Sequence, residues 1–261
     1  MRIAFIGAGR LATNLAPALK VAGVQVMEVW SKTQASAEAL AARVGCNASW
    51  GQVERATQDA EMYIISVKDT ALPEVIRHLH EGRENALFAH TAGSLPLSLF
   101  RDAGHERGAV FYPLQTFSKE RAVDFGAVHF FLETSREEDF ELLKSLAERL
   151  TTPAQIHHST SATRRWLHLA AVFACNFGNH CCTVADDLLA EASVDFRVLL
   201  PLMDEMVAKL HQLPPREAQT GPAARRDENV MGMQRAMLTD RPDLQQLYTL
   251  LSNSIQQYDQ L

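Results

Sequence analysis

The chain of 261 residues has little of what would commit it to several common classes. It carries four cysteines (Cys46, Cys175, Cys181 and Cys182) and no CxxC spacing, so neither a disulfide framework nor a zinc ribbon is expected. Cys175, His180, Cys181 and Cys182 lie close in sequence. On a helix, however, Cys181 and Cys182 would point about 100° apart, and no pair has the i,i+4 spacing of a helical metal site. No metal is therefore expected. Basic charge is not in excess, with 25 Lys and Arg against 31 Asp and Glu and a net charge of −6, which argues against nucleic acid or an anionic membrane as main partner. No apolar run approaches the roughly 20 residues needed to span a bilayer. The stretch Leu167 to Phe177 is interrupted by His168 and Asn176. Met1-Arg2 leads straight into an apolar segment and a glycine turn, so no leader is expected. The expectation is a reduced, cytoplasmic protein.

What is present is an alternation. Residues 3–6 form an apolar run suited to a strand buried on both faces. After a glycine turn, Leu11, Leu15, Ala18, Leu19 and Ala22 recur at helical spacing, and Gly23 ends that helix. Further strands are expected over 24–30, 62–67, 86–90, 109–112 and 128–133, with helices over 35–44, 72–79 and 137–150. Ser135 is the expected cap of the last of these helices. Alternating strands and helices predict a parallel sheet covered on both faces. From Pro153 on the pattern is helical throughout, over 161–191, 195–213, 229–238 and 243–258, with Pro201 kinking or starting a helix. His157-His158 reads as a linker pair. The expected domains are 1–153, a doubly wound dinucleotide-binding domain, and 154–261, an all-α domain for substrate and dimerisation.

The turn Gly7-Ala8-Gly9-Arg10-Leu11-Ala12 has a mechanical logic. Gly7 permits the tight strand-to-helix turn, Gly9 lets a pyrophosphate approach the backbone, and Ala12 keeps the helix near the strand. The anion then sits on free N–H groups at a helix N-terminus. The residue ending the second strand chooses the cofactor. NAD sites place an acid there. This chain has Ser31-Lys32-Thr33, a cation flanked by hydroxyls, which suits the 2′-phosphate of NADP; Glu28 falls two residues too early.

At this point the segments Phe5-Ile6-Gly7-Ala8-Gly9, Trp30-Ser31-Lys32-Thr33 and Ile65-Ser66-Val67-Lys68 resemble pyrroline-5-carboxylate reductases and β-hydroxyacid dehydrogenases. His90 to Ser94, Tyr112 to Ser118, His168 to Asn176 and Thr220 to Asp227 extend the likeness over nearly the whole chain. Together they resemble an uncharacterised Rossmann-like family named as NADP oxidoreductases, with a helical C-terminal domain of unknown function. The resemblance implies a fold of the 6-phosphogluconate dehydrogenase type, a homodimer through the helical half, and Val67-Lys68 beside the cofactor. It does not imply a substrate.

Ligands of a doubly wound sheet bind beyond the carboxyl ends of its strands. Thr91, Gly93 and Ser94 begin at one such end, and Gln115 and Thr116 follow another. Thr91 and Gly93 are expected at the cofactor, and Ser94, Gln115 and Thr116 at the substrate, or else in ordinary turn chemistry. Hydride transfer needs orientation and an acid for the atom that gains charge. The β-hydroxyacid dehydrogenases place a lysine for this on the first helix after the Rossmann domain; 161–191 contains none. His168 is the available substitute. Asn176, eight residues on, lies about 80° around an α-helix and some 12 Å along it. Arg225 and Thr220 are candidates for a substrate anion, the alternative being a helix first turn capped by Thr220. The expected activity is NADPH-dependent reduction of a small carbonyl or imine bound between the domains. The alternative is a non-catalytic dinucleotide-binding sensor or scaffold, and a third reading replaces nicotinamide by a deazaflavin.

Overall fold

The computed structural model describes residues 1–258. Its first half alternates in chain order: β1 (Arg2–Ile6), α1 (Arg10–Val21), β2 (Gln25–Ser31), α2 (Gln34–Val44), β3 (Asn47–Trp50), β4 (Met62–Ile65), α3 (Leu72–Leu79), β5 (Leu87–His90), the short α4 (Leu99–Asp102), β6 (Gly108–Leu114), β7 (His129–Thr134), α5 (Glu138–Glu148) and β8 (Ile156–His158). These strands form one sheet of order β3-β2-β1-β4-β5-β6-β7-β8. All neighbours run parallel except β6 and β7. The chain is thus α/β and doubly wound, as expected, but the antiparallel β6–β7 pair departs from the parallel sheet that the alternation predicts, because no α-helix crosses over between those two strands.

Two cores, one on each face, explain why the strands are apolar without alternation. Ile3 and Phe5 of β1 pack with Leu15 and Leu19 of α1 and Leu143 and Leu146 of α5. Ala4 and Ile6 turn the other way, to Ile76 of α3 and Phe100 of α4. Both edge strands go beyond the expected set. β3 is Asn-Ala-Ser-Trp and β8 is Ile-His-His, short and polar because each has only one neighbouring strand. His157 and His158 are therefore sheet residues rather than a linker. His157 Nε2 lies 2.9 Å from His129 Nδ1, and its ring stacks on Phe131. Ser135 does not cap α5. Its hydroxyl donates to Glu106 O and accepts from Gly108 N–H, tying β6 to β7.

After β8 the chain is helical: α6 (Ser161–Ala171), a π turn over Val172–Phe177, α7 (Gly178–Glu191), α8 (Leu200–Leu210), α9 (Glu228–Ala236) and α10 (Pro242–Tyr258). Pro201 starts α8, where its missing N–H costs nothing. By internal contacts the chain divides into units Met1–Asn179 and His180–Leu261. The first keeps β8, α6 and the π turn with the sheet, and the expected boundary near Thr152-Pro153 lies inside it.

Candidate active site

The glycine turn is built as its sequence requires. Gly7 has φ +112°, and a Cβ there would collide with the Ser66 carbonyl and crowd Val67. Its N–H donates to Trp30 O at 2.8 Å, while Ser66 N–H donates to Ile6 O. One glycine therefore closes the ends of β1, β2 and β4 together. α1 then begins with no side-chain cap, so the N–H groups of Arg10, Leu11 and Ala12 open the helix without a protein anion. An uncapped N-terminus behind a tight glycine turn fits a pyrophosphate. Ser31 ends β2 buried, and Lys32 and Thr33 are exposed beyond it. Thr33 bonds Ser36 at 2.9 Å. Glu28 is spoken for: buried, it accepts from the Ser49 hydroxyl and Thr57 N–H, both at 2.8 Å. It is not available to a ribose.

Asn14 was not singled out by sequence reasoning, yet it positions the loop after β6. Its amide donates to Ser118 O at 2.8 Å, and its oxygen accepts from Val123 N–H. Gln115 and Thr116, on that loop, are exposed, and Thr116 N–H donates to Gln115 Oε1. Beyond β4 and β5, the Ser94 hydroxyl donates to Asp69 Oδ2 at 2.6 Å. Asp69 is thus a further group at this rim.

His168 is brought to the same rim by an anchor one turn earlier. Arg164 is fully buried, pairs with Glu133 of β7 and donates to Leu95 O. Glu133 also accepts from Ser161 N–H and hydroxyl. Residues i and i+4 share a helix face, so this anchor sets His168 over the sheet edge. There His168 Nδ1 lies 3.1 Å from the Tyr112 hydroxyl. Gly93 packs so closely that a Cβ would lie 2.6 Å from His168 Nδ1. Gly93 and His168 are thus brought into contact, with Tyr112 added. Only the strand-end position of Tyr112 could have signalled it. Burial pushes its phenol pKa up, with the Arg164 charge opposing.

The π turn alters the phase between His168 and Asn176. A π bulge adds one residue to a turn, a lag of about 100°, so the expected offset of about 80° shrinks to roughly −20°. The two share nearly one face, and Asn176 is exposed on it. In the second unit, Thr220 caps no helix among the described residues. Residues 220–227 form turns, with Gly221 at φ +107°, and the cap of α9 is Asp227, which accepts from Val230 N–H at 3.1 Å. Arg225 lies in these turns and is exposed. Among the described residues, no group of three or more His, Cys, Asp or Glu could hold a metal, and no helix is long and apolar enough to cross a membrane.

A doubly wound sheet with an uncapped glycine turn at its first crossover defines a Rossmann-type dinucleotide-binding protein with a helical C-terminal region. Comparison with known proteins carries this further. Residues 2–89 match the family described as NADP oxidoreductase coenzyme F420-dependent, and residues 128–255 match a domain of unknown function, DUF2520. A Bacteroides fragilis protein named as a "putative NADP oxidoreductase" is 46% identical over 98% of both chains, with a TM-score of 0.93. The chain belongs to that family of NADP oxidoreductases. A Myxococcus stipitatus imine reductase in complex with NADP+ shares the fold at 16% identity, covering 98% of this chain and 93% of that one, with a TM-score of 0.68. Plasmodium falciparum pyrroline carboxylate reductase with NADP bound does so at 10% identity over 98% of both chains, with a TM-score of 0.62. No match was found among curated proteins.

Proposed function

We infer that the protein uses NADPH to reduce a small carbonyl or imine compound. The observation that carries this reading is the placement of His168 and Gly93 at the sheet rim where the glycine turn opens. An imidazole able to donate a proton at the carboxyl ends of the strands is what the reactive end of a dinucleotide would call for in a doubly wound sheet. The NADP-bound imine and pyrroline carboxylate reductases of the same fold support it. When bound, NADPH supplies the hydride. Gly7, Ala8, Gly9, Arg10 and Leu11 hold the pyrophosphate, and Ser31, Lys32 and Thr33 the 2′-phosphate. Val67, Lys68, Thr91 and Gly93 border the nicotinamide. Ser94, Gln115, Thr116, Thr220 and Arg225 are assigned to the substrate, His168 to proton donation and Asn176 to orienting the reacting group. Residues 1–153 serve the cofactor, and 154–261 serve substrate and dimerisation.

Two measurements test this. Titration with NADPH and NADH is expected to favour NADPH. Lys32→Glu should weaken NADPH about tenfold or more, as loss of a charge-assisted contact implies, and leave NADH little changed. An unaltered NADPH/NADH ratio overturns the phosphate assignment. A panel of keto acids and cyclic imines, followed by nicotinamide absorbance, should yield a substrate. Tight binding without turnover would instead favour a non-catalytic binding protein. The F420-dependent description of the N-terminal family favours a second arm, binding of a reduced deazaflavin.

A further inference from the structure

The hydroxyl of Tyr112 has so far been given no task. Tyr112 stands near the carboxyl end of β6 and is 8% exposed. Its ring meets His168 edge to face, with centroids 6.1 Å apart and an interplanar angle of 73°. Gly93 closes the third side: a Cβ there would lie 2.6 Å from His168 Nδ1 and 2.9 Å from Tyr112 Cζ. The three residues therefore fix one another. A phenol carries a single hydrogen and, when enclosed, must place it on an acceptor. The recorded partner of this hydroxyl is His168 Nδ1, at 3.1 Å. An imidazole nitrogen that accepts carries no hydrogen, so with the phenol as donor a neutral ring would bear its hydrogen on Nε2, on the side away from Tyr112.

We propose that Tyr112 is a positioning residue that sets the tautomer of His168, donating to Nδ1 so that Nε2–H is the acid presented to the substrate. The proposal rests on the reductive reading above and deepens it. In the proton step the Nε2–H bond breaks and an O–H or N–H bond forms on the substrate. The phenol hydrogen moves to Nδ1, so the ring stays neutral and Tyr112 is left as phenolate. A proton from water restores Tyr112 and the starting tautomer. One proton is taken from water per turnover, and the two electrons come from the reduced nicotinamide. Arg164, one turn before His168, supplies positive charge that opposes the upward push of burial on the Tyr112 phenol, burial being the larger effect. This arrangement does without the lysine that α6 lacks.

The test is nitrogen-15 NMR of the histidine rings in the full chain, with and without NADPH. His168→Asn identifies the His168 signals by their loss. The native protein is expected to show His168 as the Nε2–H tautomer, and Tyr112→Phe a mixture or the Nδ1–H form. A native Nδ1–H ring, or the same Nε2–H ring in both proteins, overturns the proposal. NADPH affinity of Tyr112→Phe, read by nicotinamide fluorescence, should stay within about twofold, since the proposal gives the phenol hydroxyl no contact with the cofactor. A large loss would assign Tyr112 to cofactor binding and overturn the positioning role. With a substrate in hand, Tyr112→Phe should lower kcat by about 10- to 100-fold with KM nearly unchanged. Unchanged kcat overturns it. The NMR result stands without a substrate, so failure of the reductive reading and failure of the tautomer assignment are told apart.

Discussion

Gly93 and the buried histidines show how much hangs on single atoms here. At Gly93 the added Cβ of alanine would have to displace His168 or Tyr112, which are bonded to each other. Gly93→Ala is expected to lower turnover by about tenfold or more, by moving His168 out of line, with a smaller loss of NADPH affinity because Gly93 is assigned to the nicotinamide end. Steady-state kinetics beside a binding titration would check this; unchanged turnover would sink it. His90 is fully buried, accepts from Ala92 N–H and stacks on Phe100. His105 donates to Ala86 O at 3.0 Å and stacks on Phe88. Burial holds both neutral, pushing His90 down to about 3 and His105 to about 4. Below about 6.5 the unfolded chain takes up protons that the folded chain refuses. Stability is therefore full above that pH and declines as pH falls toward 4, by up to about 1.4 kcal/mol per unit for each group. Urea midpoints between pH 7 and 4.5 should fall accordingly, and His105→Gln should flatten the slope.

At the scale of elements, α6 is the piece that turns a binding fold into a candidate site. Its first turn is fastened by Thr160, which accepts from Thr163 N–H, and by the Glu133–Ser161–Arg164 network. His168 follows one turn later. Glu133→Ala would leave Arg164 buried without its carboxylate, at a cost of about 3–5 kcal/mol. It should also lower turnover, because the helix carrying His168 loses its anchor. Thermal unfolding measures the first effect. Replacing Glu133 and Arg164 together by apolar residues should recover much of the stability. If the single and double variants melt alike, the network is not what holds α6. The π turn that follows gives His168 and Asn176 a common face that a plain α-helix would deny them.

Over the whole molecule, burial is uneven. The sheet cores are closed, whereas Trp166, Leu169, Phe173 and Phe177 of α6 and the π turn are 74%, 46%, 65% and 50% exposed. Leu202, Met233, Met237 and Leu250 in the second unit are exposed to a like degree. Apolar surface of this extent calls for a cover, and a second copy is the cover proposed above. Sedimentation should show a dimer at micromolar concentration, and Phe173→Asp should shift it toward monomer with NADPH binding retained. A native monomer across that range would overturn the assignment.

The sequence alone determined the doubly wound class, the glycine turn opening a helix, and the helical C-terminal half. Each rests on local signals: apolar runs buried on both faces, 3.6-residue stripes, and a glycine where φ is positive. It also showed that α6 lacks a lysine. The edge strands β3 and β8 escaped it because a strand with one neighbour need not be apolar; Ser135 was drawn to partners beside β6, and Asp227 rather than Thr220 caps α9. Only the tertiary structure decided that His168 meets Tyr112 and Gly93 across separations of 56 and 75 residues. No local pattern encodes that meeting. It follows from a buried arginine one turn away, which can be satisfied only where β7 brings its glutamate.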